Sequence, residues 1–259
     1  MAAFGRSILL SSLLPGTLTR RWMTPSTFTS DLKSAVGAPW EILRLPTSYP
    51  PYIIDAYTKN GGIGVYSSIL VLIPSLEIGF IILSAGPGGG LTIESVSYLI
   101  VRTILPAIEV AARDEATAAY AGNYASPDAS LNSSVTFATD PSHPGLRVSS
   151  WISNGTNMLR VLGLIATGSG DIPITTTLYP TNLRTETDLG TKEAWRSVLE
   201  ASSTPTDPEV SSSSCYSWAG VDSLQYGSVA LDDWLFTLGK DGKATSVEPR
   251  ILRVSLQKT

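Results

Sequence analysis

Sulfur and imidazole are nearly absent from this sequence of 259 residues, which has one cysteine, Cys215, and one histidine, His143. A single cysteine excludes a disulfide framework within the chain. Together the two residues exclude a zinc centre of the His/Cys type, and neither a metal nor another cofactor is expected. A histidine-based catalytic triad would rest on His143 alone, and Ser142-His143-Pro144-Gly145 reads as a turn. Charge is also sparse, at 15% of residues with a net of -4, and no block of lysine and arginine occurs. That distribution argues against nucleic acid as a partner.

Uninterrupted apolar runs long enough to cross a bilayer are missing too. Residues 69–84 are strongly apolar but short, and they contain Pro74 and Glu77; residues 91–110 contain Glu94, Arg102 and Pro106. No membrane span is expected from either. Residues 1–30 lack aspartate and glutamate and carry Arg6, Arg20 and Arg21. That composition suits a mitochondrial presequence. No small-residue cleavage site follows the apolar stretch at 8–14, so no clear signal peptide is visible. The competing reading is a helix of the folded domain over 2–14, with Phe4, Ile8 and Leu9 on one face.

What the sequence does have is apolar content, 43% of residues, enough for a folded globular protein. A short strand is expected near Trp40, another at 53–59, and a hairpin of 65–73 and 77–85 around Pro74-Ser75-Leu76. Both hairpin arms are nearly continuous apolar runs, which predicts burial on both faces. Gly86-Pro87-Gly88-Gly89-Gly90 reads as a connector; its spacing matches neither nucleotide-binding signature. The strongest helical periodicity lies at 92–119, with Val96, Leu99, Ile100, Ile104 and Ile108 in register and a kink or break expected at Pro106.

Beyond Tyr120 the chain becomes rich in serine, threonine, asparagine and glycine. Short strands are expected at 135–138, 146–152, 159–165, 174–178, 195–199, 229–236 and 251–256, in the manner of a β-sandwich or small barrel. Residues 204–215 read as a low-complexity loop. Trp40, Trp151, Trp218 and Trp234 are expected in the core. Asn132-Ser133-Ser134 and Asn154-Gly155-Thr156 match the N-glycosylation acceptor pattern, making Asn132 and Asn154 candidate modification sites.

One segment stands out: Lys59-Asn60-Gly61-Gly62-Ile63-Gly64-Val65-Tyr66-Ser67-Ser68, followed by Ile73-Pro74 and Glu77-Ile78-Gly79. It resembles the Lys-Thr-Gly box and following hairpin of the β-lactamase/transpeptidase-like superfamily. More closely, the chain is similar to fungal β-lactamase-like proteins that carry an added C-terminal β domain. The likeness extends upstream through Phe4-Gly5-Arg6, Arg20-Arg21-Trp22 and Gly37-Ala38-Pro39-Trp40-Glu41. Downstream it runs through Tyr120-Ala121-Gly122-Asn123-Tyr124, residues 149–156 and residues 241–247, so it covers nearly the whole chain.

The resemblance implies an α+β fold: a partial β-lactamase/transpeptidase-like sheet with flanking helices over residues 1–117, then a mostly β, barrel- or sandwich-like domain over 118–259. It implies a small acyl substrate or ligand, with Lys59, Asn60, Gly61 and Gly62 forming one wall of the site. In that fold the lysine attracts a substrate carboxylate, and the residue after the box offers a backbone N–H to the oxyanion. Asn60 stands where the family has threonine.

The nucleophile of this fold is a serine followed three residues later by a lysine, well upstream of the box. Here a Ser-x-x-Lys stands at Ser30-Asp31-Leu32-Lys33, at the wrong distance, so Ser30 and Lys33 are weak candidates. Ser130-Leu131-Asn132 mimics a second motif of the fold but follows the box. The chain therefore reads as the C-terminal portion of such a protein, inactive or accessory. A role linked to secondary-metabolite biosynthesis and secretion are both implied by resemblance alone. An active serine hydrolase or acyltransferase using Ser30, and a ligand- or partner-binding β module, are the alternatives. Exposed apolar surface on residues 1–117, covered by a partner, is a further expectation.

Overall fold

The structure, a computed structural model, describes residues 1–46, 53–168, 174–188, 190–201 and 217–259. It divides by internal contacts into two units, Met1–Ala111 and Ala112–Thr259.

The first unit opens with α1 (Ala2–Leu9) and α2 (Gly16–Trp22), then β1 (Thr27–Phe28), β2 (Ser34–Val36), β3 (Glu41–Pro46), β4 (Ile53–Ile63), β5 (Tyr66–Ile73) and β6 (Ile78–Ala85). These strands form one antiparallel sheet in sequence order, β1-β2-β3-β4-β5-β6. Strand alternation gives the sheet two separate cores. On one face Ile42, Tyr57, Leu70 and Leu72 pack with Ile8 of α1 and with Trp40. On the other, Ile54, Ala56, Ile69, Val71 and Ile73 pack with Ile93 and Leu105 of α3 (Gly89–Tyr120). Gly5 lets α1 approach the sheet, since a Cβ there would lie 3.1 Å from Leu72 and 3.3 Å from Leu70. By length and composition alone, α3 is long and apolar enough to cross a membrane.

Several sequence expectations are corrected here. The expected helix over 2–14 stops at Leu9, where the chain turns through Ser11 at φ +52°, and α2 follows behind Pro15. The hairpin is not buried on both faces: β6 is the sheet's edge strand, and Leu83 is exposed. α3 begins already at Gly89 and runs without interruption through Pro106.

The second unit continues with β7 (Gly122–Ala125), β8 (Ser134–Asp140), β9 (His143–Ser153), β10 (Thr156–Asn157), α4 (Met158–Thr167), β11 (Ile174–Thr187), β12 (Gly190–Ala201), β13 (Gln225–Tyr226), β14 (Val229–Ala230), β15 (Asp233–Leu238), β16 (Ala244–Pro249) and β17 (Leu256–Lys258). The order β9-β11-β12-β15-β16-β17-β7-β8 closes on itself through a β8–β9 pairing, so these strands make a barrel rather than a sandwich. Closure pairs each of these eight strands on both sides, and β10 adds a short edge beside β9.

Aromatic rings fill the barrel. Trp151 and Trp234 lie 4.7 Å apart, Phe137 and Phe236 5.3 Å, and Trp195 and Phe236 5.5 Å, each between ring centroids. Such offset and edge-to-face pairs add to the burial of large apolar area. The Trp234 indole N–H donates to Ser197 Oγ at 3.1 Å. Glu193, buried on β12, accepts from the Tyr120 hydroxyl at 2.5 Å and from Arg184 at 2.9 and 3.1 Å. Burial, and then the hydrogen bond to Glu193, push the Tyr120 hydroxyl well above its ordinary pKa.

The segment 159–165 is helix, not strand. Its apolar run fits either a buried strand or a helix, and the ends decide. The Asn157 side chain accepts from the Arg160 N–H at 3.2 Å as an N-cap, and Gly168 at φ +73° closes the C-terminus. Residues 229–236 divide into β14 and β15, and residues 251–256 begin in a 3-10 turn before β17. The expected loop at 204–215 lies outside the described residues. Of the four tryptophans expected in the core, Trp40, Trp151 and Trp234 are buried; Trp218 is exposed, at 52%, and stacks on Tyr179.

Truncating Trp234 to alanine should lower the unfolding free energy by about 3–5 kcal/mol, the range for emptying an aromatic core site. Trp218→Ala should cost less than about 1 kcal/mol, as exposed substitutions do. Denaturant melts of the two variants check the contrast.

Candidate functional site

The site is built where two neighbouring strands stop sharing an edge. β3 begins at Glu41, which pairs with Thr58 on β4. β4 continues past that point through Lys59, Asn60, Gly61, Gly62 and Ile63, paired only with β5. Among the described residues, the outer edge of this stretch therefore lacks a strand partner. The Asn60 amide points that way, toward Glu41 Oε2 at 3.4 Å. Alternation along an antiparallel strand sends the Gly62 N–H in the same direction. β4 then reverses into β5 through Gly64 at φ +57°, a backbone conformation that glycine adopts without cost.

Glu41 closes over this open edge. One carboxylate oxygen accepts from the Lys59 ammonium, and the other accepts from the Asn60 side-chain amide at 2.7 Å. Partial burial alone would raise the Glu41 pKa. The hydrogen bond and charge of Lys59, with the Asn60 backbone and side-chain amides, outweigh it and hold the carboxyl below its ordinary value. Both side chains of the pair remain substantially exposed. On the neighbouring strand, Ser68 Oγ lies 3.4 Å from the Gly61 carbonyl. A Cβ on Gly61 would come within 2.7 Å of that hydroxyl, so the strand tolerates little more than glycine there without Ser68 moving.

Two hollows meet at this edge. On the α3 face, a cavity of about 660 Å³ has Glu41, Asn60, Gly61, Gly62 and Ser67 at its polar end. Leu43, Leu45, Ala56, Val71, Phe80 and Ile93 form its apolar floor. Its volume falls within the range of small-molecule sites. The Ser97 hydroxyl, also on its wall, has no hydrogen-bond partner among the described residues. On the α1 face, a hollow of about 330 Å³ is lined by Phe4, Trp22, Trp40, Lys59 and Leu83.

The other candidate residues stand apart. Ser30 and Lys33 occupy the exposed turn between β1 and β2, where Asp31 Oδ1 accepts from the Lys33 backbone N–H at 2.6 Å. Strands β2 and β3 separate that turn from β4, and it is not a helix that would aim the two side chains together. His143 is exposed at the start of β9, with Nδ1 3.3 Å from Asp140 Oδ2. Ser130 sits in a 3-10 turn capped by Asp128, whose Oδ1 accepts from the Ser130 N–H at 2.9 Å and its hydroxyl at 2.6 Å. Asn132 and Asn154, both exposed, lie on adjacent turns joined by a hydrogen bond from Gly155 N to the Asn132 carbonyl at 3.0 Å. Among the described residues no group of three or more His, Cys, Asp or Glu could hold a metal.

Sequence reasoning missed a role for Glu41 and missed the cavity. Glu41 is 18 residues from Lys59, and only the β3–β4 pairing brings them together. The available signal was weak: an acid at the start of one strand and a base on the next.

Because the folded-state pKa of Glu41 is depressed, the ionised contact stabilises the fold above the usual carboxylate range and is lost as pH falls through the depressed value. Wild type should therefore exceed Glu41→Gln in stability at neutral pH by at most about 1 kcal/mol, the scale of an exposed pair. The two melting curves should converge in acid, which thermal unfolding followed from neutral pH downward would check.

Residues 112–259 match a family model described as "Beta-lactamase-like-like, C-terminal domain". A "Beta-lactamase-like protein" of Arthroderma benhamiae is 29% identical over 259 residues, an alignment covering 91% of this chain and 43% of the relative. The "Probable hydrolase clz13" of Cochliobolus lunatus is 30% identical over 61% of this chain and 27% of its own length. The "Beta-lactamase-like protein str6" of Strobilurus tenacellus is 28% identical over 61% of this chain and 52% of its own length. The chain thus spans only about a quarter to a half of the length of these relatives. No solved structure matches it. The chain belongs to the β-lactamase-like family, through the C-terminal domain that the barrel forms.

Proposed function

We propose that residues 1–117 are the C-terminal part of a β-lactamase/transpeptidase-like domain, with the Lys59–Gly62 edge as one wall of a site for a small acyl compound, and that this chain does not itself acylate. The observation that carries the reading is the free outer edge of β4. An acyl group lying along it would meet the Gly62 N–H, which can hydrogen-bond a carbonyl oxygen. One donor of that kind contributes about 3 kcal/mol to an acyl-transfer barrier when it is present at the oxyanion. The cavity of about 660 Å³ beside it accommodates the remainder of the compound.

The wall has no attacking group of its own. Among the described residues, the serines nearest the box are Ser67 and Ser68, on the adjacent strand β5. No lysine follows either of them at the spacing that would activate it. The pair Ser30 and Lys33, on its turn beyond β3, has no route to a carbonyl bound at Gly62. The relatives are longer than this chain, and one of them is named a probable hydrolase. In a protein of that length, a serine outside residues 1–259 would complete the site. By the same reading a further domain or partner covers the exposed apolar residues of the first unit, such as Leu83, Leu91 and Leu99. The barrel, residues 118–259, serves as an appended binding or structural module.

Incubating the recombinant chain with a fluorescent β-lactam and with a fluorophosphonate should leave it unlabelled in a denaturing gel. Stoichiometric labelling would overturn the proposal, and loss of that label in Ser30→Ala would assign the nucleophile to Ser30.

A further inference from the structure

The contact between Glu41 and the box bears on what the site accepts. The Lys59 ammonium is already met by a carboxylate from the chain itself, and so are both the backbone and side-chain amides of Asn60. Glu41 therefore occupies the position that the carboxylate of an anionic ligand would take. The Lys59 ammonium and the Asn60 side-chain amide each keep a further N–H, so a ligand carboxylate could reach them by sharing them with Glu41 or by displacing it. It would then lie beside a second negative charge at close range, which is unfavourable for both.

The Gly62 N–H is not spent in this way. It lies two residues further along the free edge, beyond the reach of the Glu41 contacts, and it suits an uncharged carbonyl oxygen. The adjoining cavity has no cation on its lining: Leu43, Leu45, Val71 and Phe80 form its floor, and α3 adds Glu94, Ser97 and Tyr98 to its wall. A buried carboxylate there would go unpaired, whereas an alkyl or aryl tail would be removed from water favourably.

Resting on the acyl-site reading above, we infer that Glu41 is a specificity-determining residue that turns the box against anions, and that the site takes an uncharged acyl compound, an ester or amide with an apolar tail and no free carboxylate. The role of the lysine is thereby redirected. It holds Glu41 and the strand edge in place and leaves the neutral carbonyl to the Gly62 amide.

The matched probes are hexanamide and hexanoate, of nearly equal size and differing in charge at neutral pH. Titration into the isotopically labelled chain, followed by amide chemical shifts, should give hexanamide an affinity at least fivefold above hexanoate, with Gly61 and Gly62 among the amides that move. In Glu41→Gln, hexanoate should gain at least tenfold, and the double variant Glu41→Gln/Lys59→Gln should lose that gain. Equal or better binding of hexanoate by wild type overturns the inference, as does an unchanged ratio in Glu41→Gln. If that variant does not fold, the wild-type ratio decides alone. Absence of binding by either probe, in wild type and in Glu41→Gln, would reject the acyl site itself and the inference with it. Binding of both without discrimination would reject only the role of Glu41.

Discussion

The geometry of the site depends on a mismatch in strand length. β3 starts at Glu41, opposite Thr58, so the five residues of β4 at 59–63 keep one edge without a strand partner among the described residues. An open edge inside a sheet is a liability, because unpaired amides invite another strand. Here the first open amide is satisfied by Glu41, the residue that begins the shorter strand. The same carboxylate neutralises the lysine beside it. A single side chain thus ends β3, pairs the charge of the box and leaves the next amide of the same parity, that of Gly62, available.

The sheet that presents this edge is covered on both faces by helices, and the two cores share only the strands between them. That arrangement explains why β4 and β5 are apolar at successive positions in their middle and polar or glycine-rich toward the turn at Gly64. The apolar middle is the anchor; the polar end is the part that protrudes. A strand buried on both sides is held in register strongly, since a slip by one residue would exchange the two cores. The positions of Lys59, Asn60 and Gly62 are therefore set by packing several residues away.

The second unit solves a different problem. Closure of the barrel removes its edges, and rings from five strands fill its interior, so the barrel centre is packed side chain rather than chamber. Its most deeply buried acid among the described residues, Glu193, is compensated by Arg184 and Tyr120. Removing Arg184 would take the counter-charge from a buried carboxylate, which costs more than an exposed pair returns. The family assignment rests on this unit, whereas the chemical interest lies in the first.

Much of the fold was legible. The β4–β5–β6 meander, the long helix α3 and most barrel strands follow from alternation, apolar runs and turn residues. The misreadings have identifiable causes. Residues 159–165 are apolar enough for either structure, and the cap at Asn157 outweighed the run. Leu83 has the chemistry of a core residue and sits on an edge strand, because position in a sheet is not encoded in the strand itself. By itself the sequence determined that the chain has no disulfide framework or His/Cys metal centre, that a Lys-Asn-Gly-Gly box precedes a hairpin, and that no Ser-x-x-Lys within residues 1–259 stands at the family's distance upstream of the box. Only the tertiary structure decided that Glu41 lies against Lys59 and Asn60, and that a cavity opens beside Gly62. Those contacts join residues from different strands, and strand pairing is a property of the whole sheet's packing rather than of any local run of residues.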